Sequence, residues 1–172
     1  MLQFLKVFLD IVLWRRGPQD LPASRMLLWL TAAAYVAVSI LQLALLDEPA
    51  GAWIVFVVLD PLLLTAGTYL LLRLFGKTER FLQTATAVLG TGVVLGLCLF
   101  LPVQWGLTAL GVPAESTPAG LIALGMVVIF ALVTGRILKL ATESNLFTGV
   151  TLSFTYFLLI NLLLGLASGR GG

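Results

Sequence analysis

Five stretches of this chain are long and apolar enough to cross a lipid bilayer, and very little lies between them. A helix spanning a hydrocarbon core about 30 Å thick needs roughly 20 mostly apolar residues, and residues 26–46, 52–75, 81–103, 119–138 and 146–166 meet that length. The first, third and fifth carry no charge at all. Short breakers separate them: Asp47-Glu48-Pro49-Ala50-Gly51, the turn 76–80, and a Gly/Pro/Ser-containing loop over 111–118. In lipid every backbone polar group must be satisfied within the protein, which for segments of this length means helix. The expected fold is therefore an all-α membrane protein, a bundle of five transmembrane helices over 26–172. Composition agrees. About 60% of the 172 residues are apolar and 10% charged, whereas soluble domains run near 45–50% and 25%.

Lys and Arg fall on one side of the expected membrane. Lys6, Arg15, Arg16 and Arg25 precede the first span, Arg73, Lys77 and Arg80 join the second to the third, and Arg136 and Lys139 join the fourth to the fifth. Arg170 stands alone on the other side, with Asp47, Glu48 and Glu115. Positive side chains accumulate on cytoplasmic flanks, so the amino terminus is expected inside and the carboxyl terminus outside. High Leu/Ala/Gly/Arg usage with few Lys suggests a bacterial inner membrane, with a periplasmic carboxyl terminus.

Residues 1–25 read differently. Up to Trp14 the segment is apolar except for Gln3, Lys6 and Asp10, whose spacings of three and four place them on one helical stripe. A secretory signal is not expected, because Arg15 and Arg16 follow the apolar run instead of preceding it. The expected arrangement is an amphipathic helix lying in the cytoplasmic interface ahead of the five spans, with a helix docked against the bundle as its rival. Gly17-Pro18 and Leu21-Pro22 then turn the chain into the first span.

Asp60 is the one ionisable group well inside a span. It lies about 12 Å from the outer end at about 1.5 Å per residue, where an acidic side chain costs about 2.5–3.5 kcal/mol. It is expected neutral. Pro61 lacks an N–H and frees the carbonyl of Val57, kinking the helix. Asp60 has two candidate partners, the Val57 carbonyl and Asn161, the latter about 7.5 Å from the outer end of the fifth span. Two roles follow: a proton- or substrate-binding carboxyl, or a neutral polar clasp holding spans two and five around the kink.

The third span carries Gly92 and Gly96, a small-xxx-small pair suited to close helix packing, either inside the bundle or at a dimer face. Arg15, Arg16, Arg25, Arg73, Lys77, Arg80, Arg136 and Lys139 are candidate contacts for anionic lipid headgroups, at about 1 kcal/mol each near the surface. There is no His, and Cys98 is the single cysteine, so no Cys/His metal site is expected. Clustered carboxylates and a phosphate-cradling glycine loop are missing too, so neither cofactor nor enzymatic activity is expected. Nor is nucleic-acid binding, for want of a basic aromatic face.

Around the second turn, within 67–83, the string Arg73-Leu74-Phe75-Gly76-Lys77-Thr78-Glu79-Arg80-Phe81 resembles the Yip family, five-span proteins named for interaction with Ypt/Rab GTPases, with many bacterial relatives. There an apolar span ends in Arg and an apolar residue or two, then Gly, a short polar turn, and Phe opening the next span. The resemblance implies a small non-enzymatic membrane protein acting through partners or the bilayer. It does not carry GTPase binding with it: Asp20-Leu21-Pro22 lacks the Tyr-Gly of the family's acidic-Leu-Tyr-Gly-Pro-type motif. The expected function is an interaction or scaffold subunit, or an organiser of the membrane, with the bilayer and a membrane protein or second copy as partners. The alternative is a small transporter or proton-coupled permease component using Asp60.

Overall fold

The computed structural model describes residues 2–45, 55–113 and 116–167. Among them all regular structure is helical. Helix α1 spans Leu2–Val12, and a 3-10 turn at Pro18–Asp20 leads to α2, Arg25–Leu45. A π-helical turn at Val55–Leu59 runs into α3, Asp60–Leu74, and a second 3-10 turn at Thr78–Arg80 into α4, Phe81–Leu95. Another π-helical turn, Gly96–Phe100, continues into α5, Leu101–Ala109; α6 is Thr117–Thr142 and α7 is Leu146–Ala167. Among the described residues four segments are long and apolar enough to cross a membrane: Arg25–Ala44, Val57–Leu74, Thr78–Ala109 and Thr117–Thr142. The chain is a multi-pass membrane protein.

Both mid-span prolines are met in the same way. Pro61 and Pro102 each occupy the second position of a helix that follows a five-residue π turn. The residues four positions earlier, Val57 and Cys98, lie inside those turns. A proline ring crowds the carbonyl four residues back and supplies no N–H, and the wider π turn absorbs both defects without ending the helix. The third span therefore does not stop near residue 103 as the hydropathy suggests; it continues through Ala109. The fourth is also longer than 119–138, because Ser116 caps it, its hydroxyl accepting from the Ala119 N–H at 3.4 Å.

Helix α4 is the hub. Residues 84–96 are buried without a break, which requires neighbours on every face. Helices α1, α2, α3 and α6 supply them. The run is built from Thr, Ala, Gly, Val and Leu, and the small members let backbones approach where no hydrophobic force between helices would hold them apart from lipid. Thr84 and Thr91 return their hydroxyls to the carbonyls of Arg80 and Ala87, at 2.8 and 2.7 Å, and so stay satisfied in an apolar setting.

Helix α1 is one of those neighbours. Phe8 and Ile11 are buried in the main apolar core, and the Phe8 ring lies where Gly90 has no side chain. Of the two arrangements open to this segment, the structure shows the docked one: part of its apolar face goes to α4 instead of lipid. Lys6 stays exposed and Asp10 half-buried, while the side chain of Gln3 lies outside the described residues. After Trp14 turns the chain at φ 66, Leu21 packs at 2% exposure and its carbonyl accepts from the Gln83 amide at 2.7 Å. The amino-terminal segment is thus anchored at both its helix and its exit.

Candidate functional site

The intramembrane polar centre forms where α2, α3 and α7 converge. Tyr35, in the middle of α2, donates its hydroxyl to Asp60 Oδ2 at 2.6 Å. Tyr156, in the middle of α7, lies within electrostatic reach of Asp60 and donates to the Leu63 carbonyl at 3.0 Å. Each ring rests where a glycine lacks a side chain: Tyr35 against Gly92, Tyr156 against Gly67. Thr65 and Thr68 bond back to the Pro61 and Leu64 carbonyls at 2.7 and 2.8 Å.

The sequence singles out Asp60 and Pro61 but not Tyr35. The structure gives Asp60 a partner on span one, where Val57 and Asn161 were expected; the Asn161 side chain lies outside the described residues. A signal for Tyr35 is present in the sequence. Tyr and Trp belong at membrane interfaces, and Tyr35 and Tyr156 each fall about ten residues into an apolar helix. A mid-span phenol needs an acceptor, and Asp60 is the strongest one available at that depth.

Two small cavities flank the centre. One of about 40 Å³ is lined by Tyr35, Ser39, Gln42 and Gly92 among others, and one of about 10 Å³ by Thr68, Thr134 and Tyr156 among others. On this measure a water needs about 10–15 Å³, so they have room for a few waters at most. Asp60→Leu is expected to remove the acceptor of Tyr35 and cost about 0.6–2 kcal/mol, the range for hydrogen bonds between membrane helices. Asp60→Asn retains an acceptor of the same shape and is expected to unfold within a fraction of that of the parent. Thermal unfolding of the three proteins in one detergent decides; equal loss from Leu and Asn would mean the oxygen facing Tyr35 contributes nothing.

Gly92 and Gly96 face α2 within the same chain: a side chain on Gly92 would meet the Tyr35 ring at 2.7 Å, and one on Gly96 would meet Val38 Cγ1 at 2.7 Å. They serve the bundle interior. The tightest helix contact lies elsewhere, between Gly135 of α6 and Gly149 of α7. A Cβ on Gly135 would meet Val150 Cα at 2.7 Å, and one on Gly149 would run into the Gly135 carbonyl oxygen. With Ala131 and Ser153 one turn away these are small-xxx-small pairs on both helices, as legible as Gly92 and Gly96.

The candidate lipid contacts divide. Glu143, in the left-handed conformation that ends α6, holds Lys77 Nζ at 2.6 Å and also Arg80. Arg80 further donates to the last-turn carbonyls of Leu140 and Ala141 at 3.3 Å, capping the negative end of α6. Arg16 pairs with Asp10 at 3.5 Å, and Arg136 stacks over the Trp14 ring at 5.1 Å. Lys77, Arg80, Arg16 and Arg136 are therefore occupied inside the protein; Arg15, Arg25, Arg73 and Lys139 have no such partner among the described residues. Hydrogen bonds from Lys77 and then Arg80 hold the Glu143 carboxyl below its ordinary value of 4.5. A depressed carboxylate contributes above that ordinary value and stops contributing as pH falls through the lowered one, so this tie between the two turns fails only in acid.

Among the described residues no three His, Cys, Asp or Glu side chains group as metal ligands. Neither the known family models nor the curated proteins nor the solved structures contain a match to the chain.

Proposed function

We propose that this protein is a non-enzymatic integral membrane scaffold or membrane organiser with five spans, α7 being the fifth, and with its amino terminus on the cytoplasmic side of a bacterial inner membrane. One observation carries the reading. Asp60 is held by Tyr35 at 2.6 Å, the polar spaces beside the pair are only about 40 and 10 Å³, and the larger space of about 560 Å³ next to it is lined almost wholly by apolar side chains, whereas a site for an ordinary metabolite combines a volume of several hundred Å³ with placed polar groups. Asp60 then works as a clasp between spans one and two. The outer half of α6 supports the partner role: residues 120–125 are exposed on every side, leaving apolar helix surface for lipid, a second copy or another membrane protein.

The Yip-like character rests on the 67–83 string, whose residues have physical work here. Gly76 ends α3 at φ 67, and Lys77 and Arg80 tie the turn to Glu143. The amino-terminal helix is taken to lie at the cytoplasmic boundary, its Phe8 and Ile11 face docked and its Lys6 side toward headgroups.

A second reading, a proton-coupled component, is favoured by the polar groups gathered there: Tyr35 bonded to Asp60, Tyr156 within electrostatic reach of it, and Thr68 and Thr134 lining one cavity with Tyr156, the Thr134 hydroxyl without a hydrogen-bond partner. The five-span reading is tested by topology. A reporter fused after residue 172 is expected to be periplasmic and one inserted at 76–80 cytoplasmic, following the nine-to-one division of Lys and Arg. A cytoplasmic carboxyl terminus would overturn both the span count and the orientation.

A further inference from the structure

Spans one and two are joined by the Tyr35–Asp60 bond. Between them runs an apolar groove of about 560 Å³. One wall is a stripe of α2 that includes Trp29, Ala33 and Val36; the other is the matching stripe of the π turn and α3, including Val57, Pro61 and Thr65. Leu89 and Phe81 of α4 form the floor. Thr65 spends its hydroxyl on the Pro61 carbonyl, so the indole N–H of Trp29 is the hydrogen-bonding group that the lining side chains leave to an occupant.

Toward the basic end of the bundle each helix carries an arginine beyond the groove's lining residues, one turn past Trp29 on α2 and two turns past Thr65 on α3. Arg25 lies four residues before Trp29 on α2. On α3 the stripe passes from Thr65 to Tyr69, which packs edge-on against Phe81 at 5.5 Å, and then to Arg73 at the same spacing. Residues four apart share a helix face. Both arginines are exposed, and neither has an ion-pair partner among the described residues, in contrast to Lys77, Arg80 and Arg16 nearby. From Arg25 to Val36 is eleven residues, about 16 Å at 1.5 Å each, close to half of a hydrocarbon core about 30 Å thick.

We propose that this groove is a binding site for one anionic phospholipid of the leaflet on the basic side, its acyl chain lying between α2 and α3 and its phosphate held by Arg25 and Arg73. The dimensions match one leaflet, the lining matches hydrocarbon, and the charge at the mouth matches a phosphate. The site deepens the membrane-organiser role and rests on it for its bilayer, yet lipid retention can be read whatever the cellular role proves to be.

The test uses the full chain in mild-detergent micelles doped with equal amounts of phosphatidylglycerol and phosphatidylcholine, with native mass spectrometry of the retained lipid. At about fivefold per arginine near the surface, phosphatidylglycerol is expected to be retained about 25-fold over phosphatidylcholine. Arg25→Gln and Arg73→Gln should each reduce that about fivefold. Ala33→Trp, which fills the groove and leaves both arginines, should also release the lipid. Arg15→Gln, an equally free arginine off the groove, should change nothing. Equal retention of the two lipids, or equal effects of Arg15→Gln and Arg25→Gln, would overturn the site in favour of diffuse charge. A dimer that Ala33→Trp converts to monomer would overturn it in favour of a second copy seated in the groove.

Discussion

Gly149→Leu is expected to prevent the bundle from forming. In the structure a Cβ on Gly149 would run into the Gly135 carbonyl oxygen and approach the Lys139 backbone nitrogen to 3.1 Å. The obstacle is main chain, which cannot rotate aside as a ring can. Overpacking a protein interior ordinarily costs about 1–3 kcal/mol, and with backbone as the obstacle the cost should sit at or above the top of that range. Native stability of a domain is only about 5–15 kcal/mol. The measure is the fraction of chain recovered as a monodisperse species after solubilisation. Gly125→Leu is the control, because nothing lies within 4 Å of that position. Comparable recovery of the two variants would show that α6 and α7 are not held at this distance.

Removing the amino-terminal helix is expected to destabilise the bundle without preventing its formation. Residues 1–14 contribute Phe8 and Ile11 to the core and cover Gly90 in the middle of the hub helix. In water-soluble cores Phe→Ala costs about 3–5 kcal/mol. Lipid can replace part of what the ring touches, so that figure is an upper bound here, since helices in membranes gain no hydrophobic transfer on packing. The deletion should still insert, each span being long enough to partition alone. Its melting temperature in detergent should fall by several degrees, as should that of Phe8→Ala, while Lys6→Ala on the exposed side should leave it unchanged. A truncated chain that melts with the parent would return the helix to the interface and remove it from the core.

These cases show where the sequence is informative. The helical character of the apolar runs, and the placement of four of them as membrane-length segments among the described residues, follow from hydropathy because lipid imposes one structural solution on an apolar run. Span length does not, because Pro102 reads as a stop unless a π turn takes up its defect. Asp60-Pro61 stands out because a charge in hydrocarbon is costly, but the identity of its partner depends on how α2 rotates about its axis, which a charge-free helix leaves unmarked except by Tyr35 itself. The amphipathic pattern of α1 fixes which face avoids water and is silent on whether lipid or protein covers it. Lys and Arg positions give a consistent side, whereas occupancy by Glu143 or Trp14 depends on turns that meet only in three dimensions.

The clasp role of Asp60 is tested most directly by proton flux. Purified protein in vesicles loaded with a pH-sensitive dye, given a pH step and a potassium potential clamped with valinomycin, should acidify no faster than protein-free vesicles, and Asp60→Asn should match the parent. A flux clearly above the protein-free leak in the parent, abolished in a folded Asp60→Asn protein, would contradict the scaffold account and identify the carboxyl as a proton carrier.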